Sequence, residues 1–100
     1  KKLGREYLLS VAEIEWVQSN GNYVLLRFRG QDYPQRSTLS AMEQRLGPRF
    51  ARVHRGYLIN LSAVRHIEAT AAGDARITTA SGGQVPCSRT YLEGLRERLQ

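Results

Sequence analysis

The first third of the chain alternates between apolar and polar residues in a way that predicts β-strands. Segments 14–19 (IEWVQS) and 22–28 (NYVLLRF) are rich in strand-forming residues, and Asn20-Gly21 lies between them. Asn-Gly can supply both positive-φ positions of a type I′ turn, so this pattern predicts a β-hairpin. Gly30 then turns the chain into a third predicted antiparallel strand, Gln31–Arg36.

The middle of the chain changes to a period of three to four residues, which is typical of helices. Leu39, Met42 and Leu46 recur at this spacing within segment 37–46, and Gly47-Pro48 follows directly. The pattern predicts a short central helix over 37–46, ended by the glycine and proline. Ser37 can cap it, and Ser40 with Glu43 forms a second possible capping box.

A second helix is predicted at the C-terminal end of the chain. Leu92, Leu95 and Leu99 form one apolar stripe over segment Arg89–Leu99, and the other positions are mainly charged or polar. Ser88 precedes the first helical residue and can serve as its N-cap.

Several further short segments favour strands. They are 6–9, 64–70, 76–80 and 84–87. Short strands at regular spacing, joined by turns, predict a mainly-β domain of antiparallel hairpins with one helix in the middle and one at the end. We assign residues 6–100 to this domain and residues 1–5 to a linker remnant from an upstream domain.

Positive charge is concentrated in the middle of the chain. The net charge is +6, and thirteen of the 15 cations are arginines. Segment 50–61 (FARVHRGYLINL) combines apolar anchors with cations, and the stretch 44–67 around it holds five arginines and no acid. A GC-rich genome would favour arginine over lysine, but it would not produce the excess of cations over acids. Because guanidinium groups suit phosphates and guanine edges, the segment is predicted to present side chains to duplex DNA.

The residues needed for most enzymatic chemistry are missing. His54 and His66 have no partner cysteine pair, and no Gly-rich phosphate-binding motif occurs. Cys87 is the only cysteine, which excludes an intramolecular disulfide and indicates a small buried thiol. No apolar run approaches the roughly 18 residues of a membrane span. We therefore predict a cytoplasmic, non-enzymatic domain that has no metal, no cofactor and no membrane contact.

Three positions combine a base-reading side chain with a turn or a helix end. Asn22 lies at the tip of the first hairpin, Arg55 precedes Gly56, and Arg89 follows the predicted cap Ser88. Amides pair well with adenine, guanidinium groups pair well with guanine, and a helix start attracts phosphate. Each position also has a simpler interpretation: a turn-forming asparagine, a solvated charge beside a structural glycine, and an exposed arginine at a helix end.

Together these motifs resemble the LytTR DNA-binding domain. The residues that carry the resemblance are Ile14-Glu15, Gly21-Asn22-Tyr23, Ser37-Thr38-Leu39 with Leu46, segment 50–60 (FARVHRGYLIN) and segment 85–91 (VPCSRTY). The resemblance extends over nearly the whole chain, from about residue 6 to residue 99. It implies a mainly-β fold of about three small antiparallel sheets, in which loops rather than a recognition helix enter the major grooves. It also implies an output domain of a bacterial transcription regulator, usually behind a phospho-receiver domain.

The resemblance also assigns roles by position. Base reading falls to Asn22 or Tyr23, to Arg55 and to Arg89. Some members carry Asn where this chain has Arg55, so the preference here would shift from adenine to guanine. Structural support falls to His54 and Asn60. The residues proposed for phosphate contact are Arg27, Arg29, Arg36, Arg49, Arg52 and Ser88.

A loop reader of this size would touch few bases. We therefore expect a target of two half-sites about one helical turn apart, occupied by a homodimer under the control of an upstream receiver or sensor domain. The alternative from another class of function is a β-rich interaction module that binds an acidic partner without contacting DNA.

Overall fold

The computed structural model describes residues 4–100, which form eight strands and two α-helices. Residues 1–3 of the predicted linker lie outside the described residues. The elements are β1 (Ile14–Asn20), β2 (Tyr23–Phe28), β3 (Gln31–Arg36), α1 (Leu39–Leu46), β4 (Phe50–His54), β5 (Tyr57–Asn60), β6 (Val64–Ala69), β7 (Ala75–Thr79), β8 (Gln84–Cys87) and α2 (Arg89–Leu99). Single 3₁₀ turns precede β1, β4 and β6.

The larger sheet is built around β1, which bonds to a strand on each side. It pairs antiparallel with β2 and with β5, and the strand order is β3-β2-β1-β5-β4. β6, β7 and β8 form a separate antiparallel sheet. The expectation of about three sheets is therefore wrong, because the pairing of β1 with β5 merges the N-terminal hairpins and the central hairpin into one sheet. The mainly-β, antiparallel architecture with a central and a C-terminal helix is confirmed.

Strands β1, β4 and β5 of the larger sheet bury side chains on both faces, each face in its own apolar cluster. On one face Val17, Leu26 and Leu58 pack with Leu39 and Met42 of α1. Neighbouring residues in a strand point to opposite faces, so the residues next to Val17 and Leu58 belong to the other cluster. Burial on both sides explains why β5 reads as an almost continuous apolar run.

The second apolar cluster joins the larger sheet to the smaller one and to α2. Trp16 and Ile59 pack with Ile77, Val85 and Leu95. Cys87 belongs to this cluster and is 1% exposed, so the predicted buried thiol is confirmed, and burial raises the pKa of its sulfur.

Glu15 connects the two sheets through its carboxylate. One oxygen accepts hydrogen bonds from the Thr79 hydroxyl at 2.9 Å and the Ser81 hydroxyl at 2.7 Å, and the other accepts from the Ser81 backbone N–H at 3.1 Å. The adjacent Trp16 ring lies so close to Gly83 that a Cβ there would be 2.6 Å from it. These contacts fix the turn between β7 and β8 against β1.

The first hairpin is confirmed, but its turn differs from the predicted type I′. Asn20 pairs with Tyr23, so Gly21 and Asn22 are the central residues. Only Gly21 has a positive φ, 63°, which is the pattern of a type II′ turn. The prediction of the turn type fails because pairing retains Asn20 in the strand and moves the turn along by one residue.

Two predicted boundaries also differ. Segment 6–9 is not a strand, because Tyr7 contacts the larger sheet through its ring, 5.2 Å from the ring of Tyr33, instead of through backbone pairing. Helix α1 begins at Leu39, two residues later than predicted. Its cap is Thr38, whose hydroxyl accepts a hydrogen bond from the Ala41 N–H at 3.0 Å.

Candidate nucleic-acid interface

Two turns of the larger sheet lie side by side at one of its ends. β1 finishes where the antiparallel β5 begins, so the β1–β2 turn is next to the β4–β5 turn. A hydrogen bond of 2.9 Å from the Ser19 N–H to the Gly56 carbonyl joins them, and the Asn22 carbonyl accepts from the Ser37 N–H at 3.3 Å. The same end therefore also holds the connection from β3 to α1.

The start of α2 lies at the same end of the molecule. The Ser88 N–H donates to the Val53 carbonyl at 2.8 Å, and Val53 is two residues before Arg55. The loop between β6 and β7 is attached there as well, through a 2.8 Å hydrogen bond from the Arg89 N–H to the Asp74 carboxylate. We call this end the loop edge; it consists of segments 21–23, 36–38, 55–56, 70–74 and 88–89.

Asn22 and Tyr23 are exposed at the loop edge. Tyr23 is 44% exposed and pairs across the strands with Arg36. The Arg36 guanidinium lies 5.9 Å from the centre of the Tyr23 ring, which is a cation–π distance. Asn22 stands in the turn, and its exposed amide is available for an external partner.

Arg55 is exposed, and its backbone is held by its neighbours. Its carbonyl accepts from the Arg52 guanidinium at 3.3 Å. The next residue, Gly56, donates its N–H to Nδ1 of His54 at 3.0 Å, and the His54 ring meets the Tyr57 ring edge-on at 5.6 Å. His54 is therefore bonded to the turn that carries Arg55.

Asn60 supports the fold at the opposite end of the larger sheet. It is 1% exposed, and its amide donates to the carbonyls of Ala12 and Ile14. Its carbonyl oxygen accepts from the N–H and the hydroxyl of Ser62. All polar atoms of this buried side chain are therefore paired, as burial requires.

Ser88 occupies the N-cap position of α2, but its hydroxyl makes no capping hydrogen bond. The Asp74 carboxylate binds the first N–H of the helix in its place. The side chain of Arg89 runs across the backbone of Gly73, so that a Cβ at Gly73 would lie 3.1 Å from Cδ of Arg89. Local sequence patterns do not reveal Gly73 or Asp74 as part of the site, because their contacts with Arg89 join segments that are distant in the chain.

The other predicted phosphate contacts lie away from the loop edge or have partners within the chain. Arg29 is at the opposite end of β2 and binds both carboxylate oxygens of Glu13, at 2.7 and 3.1 Å. This hydrogen bonding lowers the pKa of Glu13. Arg27, on the same strand, pairs with Asp32 at 3.1 Å. Arg49 precedes β4, at the end of that strand remote from Arg55.

Arg52 lies next to the loop edge, and its side chain is mostly enclosed. Its guanidinium contacts the Ser40 hydroxyl at 3.3 Å and the Glu43 carboxylate at 3.4 Å. Together with its bond to the Arg55 carbonyl, these contacts tie α1 to the β4–β5 turn. The geometry suits a support for that turn better than a free cation.

The described residues were compared with the requirements of a metal site and of a membrane span. In segment 4–100 no group of three or more His, Cys, Asp or Glu side chains is arranged to hold a metal ion. No helix within the same segment is both long and apolar enough to cross a membrane.

The fold and the loop edge define a small β domain that presents arginine and amide side chains from turns, which is an arrangement suited to nucleic acid. The sequence profile of the LytTr DNA-binding domain matches residues 4–100. The chain therefore belongs to the LytTr DNA-binding domain family, as the sequence motifs indicated. Because the family consists of DNA-binding domains of transcription regulators, the prediction that the chain is not an enzyme is also confirmed.

The relatives are response regulators and transcriptional regulators. The chain is 36% identical over 97 residues to an uncharacterized response regulatory protein of Vibrio cholerae serotype O1, covering 97% of this chain and 40% of that protein. It is 34% identical over 97 residues to the transcriptional regulatory protein BtsR of Escherichia coli (strain K12), covering 95% of this chain and 39% of that protein. The chain thus spans about two fifths of the length of these relatives.

A solved structure shares the fold. It is the LytTr DNA-binding domain of a methyl-accepting/DNA response regulator from Bacillus cereus, with a TM-score of 0.80 and 17% sequence identity. The match covers 91% of this chain and 84% of that chain.

Proposed function

We propose that this chain binds duplex DNA sequence-specifically through the loop edge, as the output domain of a response-regulator-type transcription factor. The observation that carries the proposal is the position of three separate segments at one end of the fold. Asn22, Arg55 and Arg89 are distant in sequence, but backbone hydrogen bonds link the segments that hold them. Base reading needs side chains held stiffly at the tips of a scaffold, and this arrangement provides them.

The proposed roles follow from the chemistry of the exposed groups. Arg55 and Arg89 would each donate two hydrogen bonds to a guanine, and Asn22 would pair with an adenine. Tyr23 would contact a neighbouring base or sugar through its exposed ring. Arg36, with an exposed guanidinium, would bind a phosphate.

The remaining proposed residues would contribute to DNA binding without reading bases. Ser88 has an uncommitted hydroxyl at the loop edge and would bind a phosphate oxygen. Arg52 would act through the turn that it supports. Arg49 would contribute to the positive field that draws DNA to the domain, whereas Arg27 and Arg29, each paired with an acid, would contribute less to it.

The assembly in the cell is also a proposal. The longer relatives are response regulatory proteins, and we infer that a receiver or sensor domain precedes this domain in the functional protein. We expect two copies to occupy half-sites about one helical turn apart, because one loop edge presents few base-reading groups. The target would be promoter DNA in the cytoplasm.

The test begins with selection of a duplex from a random library by the 100-residue chain. Arg55→Ala and Arg89→Ala should each weaken binding to the selected duplex by about 1–3 kcal/mol, and weaken binding to a scrambled duplex much less. Arg65→Ala is the matched control, because Arg65 is exposed near the opposite end and bonds only to nearby carbonyls.

Equal losses on the two duplexes would reduce Arg55 and Arg89 to phosphate contacts and contradict the base-reading proposal. Failure of the library to yield any preferred sequence would contradict sequence-specific binding as a whole. Competition in a gel-shift experiment measures the affinity of each variant for the selected duplex and for the scrambled duplex.

A further inference from the structure

We propose that Asp74 is a positioning residue for Arg89, and that the loop 70–74 thereby sets how strongly the domain prefers its own site over other DNA. The inference rests on the proposed function, since it gives a second residue a part in the base contact of Arg89. It concerns a loop that the sequence analysis treated only as a connection between two strands.

Asp74 caps α2 from a segment fifteen residues away in the chain. Its carboxylate accepts the Arg89 backbone N–H at 2.8 Å, while the hydroxyl of Ser88 leaves that helix end uncapped. A carboxylate here satisfies a donor that has no partner within the helix and is attracted by the helix dipole. The hydrogen bond therefore fixes the backbone of the residue whose side chain is proposed to read a base.

The loop that carries Asp74 is itself closed by hydrogen bonds. The Asp74 carbonyl accepts from the Thr70 N–H at 2.8 Å and from the Thr70 hydroxyl at 3.1 Å. The Gly73 N–H donates to the Thr70 carbonyl at 3.2 Å. On its other side Asp74 is followed directly by β7, which is paired with β8. The backbone of Asp74 is consequently held in place on both sides, by hydrogen bonds within the loop and by β7.

The same loop also touches the side chain of Arg89. Gly73 has a φ of 89°, and an added Cβ would lie 3.1 Å from Cδ and 3.5 Å from Nη1 of Arg89. The arginine stem therefore lies across a backbone that has no side chain to obstruct it. Ordering a long side chain on binding costs free energy, and a stem already placed by the protein loses less freedom when DNA arrives.

Asp74 achieves this without neutralising the arginine. The ion pairs found among residues 4–100 join Arg27 to Asp32, Arg29 to Glu13 and Arg52 to Glu43. Arg89 takes part in none of these pairs, and the bond that Asp74 makes to it is to the backbone N–H rather than to the guanidinium. The guanidinium donors thus remain available for a guanine edge.

The experiment compares Asp74→Ala with Asp74→Asn. Both variants lose the same charge, but only asparagine retains a side-chain oxygen that can accept the Arg89 N–H. With the duplex selected by the 100-residue chain and its scrambled counterpart as probes, Asp74→Ala should lower the ratio of the two affinities about 3- to 10-fold. Asp74→Asn should keep a ratio close to that of the unaltered chain.

A second arm measures coupling between the two residues. In an Arg89→Ala background, Asp74→Ala should cause no further loss of preference, because its effect is transmitted through Arg89. An equal loss with and without Arg89, or an equal loss in Asp74→Asn and Asp74→Ala, would overturn the inference alone. An Arg89→Ala variant with undiminished preference would instead refute base reading by Arg89, and the inference would fall with it.

Gly73→Ala provides a test that retains the carboxylate, in case Asp74→Ala does not fold. The new methyl group would displace the Arg89 stem and would also strain the loop backbone at a φ of 89°, so the preference for the selected duplex should fall in this variant too. Circular dichroism would confirm that it is folded. A folded Gly73→Ala variant with unchanged preference would contradict the proposed role of the loop.

Discussion

The same dipeptide, Arg-Gly, forms two turns of the larger sheet and has two different environments. Arg29-Gly30 lies at the far end of the sheet, where the arginine has a φ of 50° and is bound by Glu13. Arg55-Gly56 lies at the loop edge, where the arginine side chain is exposed. The difference arises because β2 runs away from the loop edge and β4 runs towards it. Strand direction, and not residue type, therefore decides which arginine lies at the loop edge.

Part of the candidate site could be predicted from local patterns alone. Arg55 stands out because a glycine follows it, and Arg89 stands out because a predicted helix begins there. Asp74 could not be found in the same way, because its contact with Arg89 depends on how a loop folds back on a helix start. The capping role expected of Ser88 is likewise performed by a residue that is remote in sequence.

Two glycine substitutions should change stability in opposite directions. Gly21 has a φ of 63°, so Gly21→Ala should lower the free energy of unfolding by about 1 kcal/mol through backbone strain alone. Gly94 lies inside α2, and a Cβ added there would have no atom close to it. Gly94→Ala should therefore raise the free energy of unfolding by about 0.5–1 kcal/mol. Urea denaturation of both variants measures the two shifts. A stabilising Gly21→Ala would contradict the type II′ turn described for the first hairpin.

At the scale of elements, local patterns located most strands and both helices but not their assembly. The Asn20-Gly21 signal and the leucine stripe of α2 arise from neighbouring residues, which a pattern can capture. The pairing of Trp16 with Ile59, which merges two hairpins into one sheet, joins residues more than forty positions apart. Nothing in a period of two specifies which strand lies alongside which, so the number of sheets could not be predicted.

Glu15 accepts three hydrogen bonds that join β1 of the larger sheet to the end of β7 and the turn that follows it. Glu15→Gln replaces one carboxylate oxygen with an amide that cannot accept a hydrogen bond, so one or more of the bonds to Thr79 and Ser81 should be lost. We expect a decrease of about 1–3 kcal/mol in the free energy of unfolding. Glu97→Gln on the exposed face of α2 is the control and should stay within about 0.5 kcal/mol. Trp16 fluorescence reports on the sheet contact, and an unchanged midpoint would argue against it.

At the scale of the whole molecule, the net charge of +6 indicates a general affinity for DNA but does not show where DNA binds. The structure distinguishes two groups among the arginines proposed to contact DNA. Arg36, Arg55 and Arg89 are exposed at the loop edge, whereas Arg27 and Arg29 are paired with acids farther away. Composition therefore indicated the class of partner, and the exposed arginines of the loop edge support the proposal that this face meets it.

The salt dependence of DNA binding should separate these two groups. Arg36→Ala should reduce the slope of log affinity against log salt concentration by about one, because one phosphate contact would be lost. Arg29→Ala should leave the slope nearly unchanged, since that guanidinium is bound by Glu13 and is remote from the loop edge. A titration from low to moderate salt with a scrambled duplex measures both slopes. Equal reductions would mean that DNA also contacts the far end of the sheet.

The strand order also predicts the spacing between the bases that two turns of the domain would read. The turn carrying Asn22 joins β1 to β2, and the turn carrying Arg55 joins β4 to β5, so their midpoints are two strand spacings apart in the order β3-β2-β1-β5-β4. Two spacings amount to about 10 Å. Base pairs stack at about 3.4 Å, so this distance corresponds to about three base pairs. Sites selected by each variant would be compared with sites selected by the unaltered chain. The position that loses its base preference in Asn22→Ala and the position that loses it in Arg55→Ala should therefore lie about three base pairs apart.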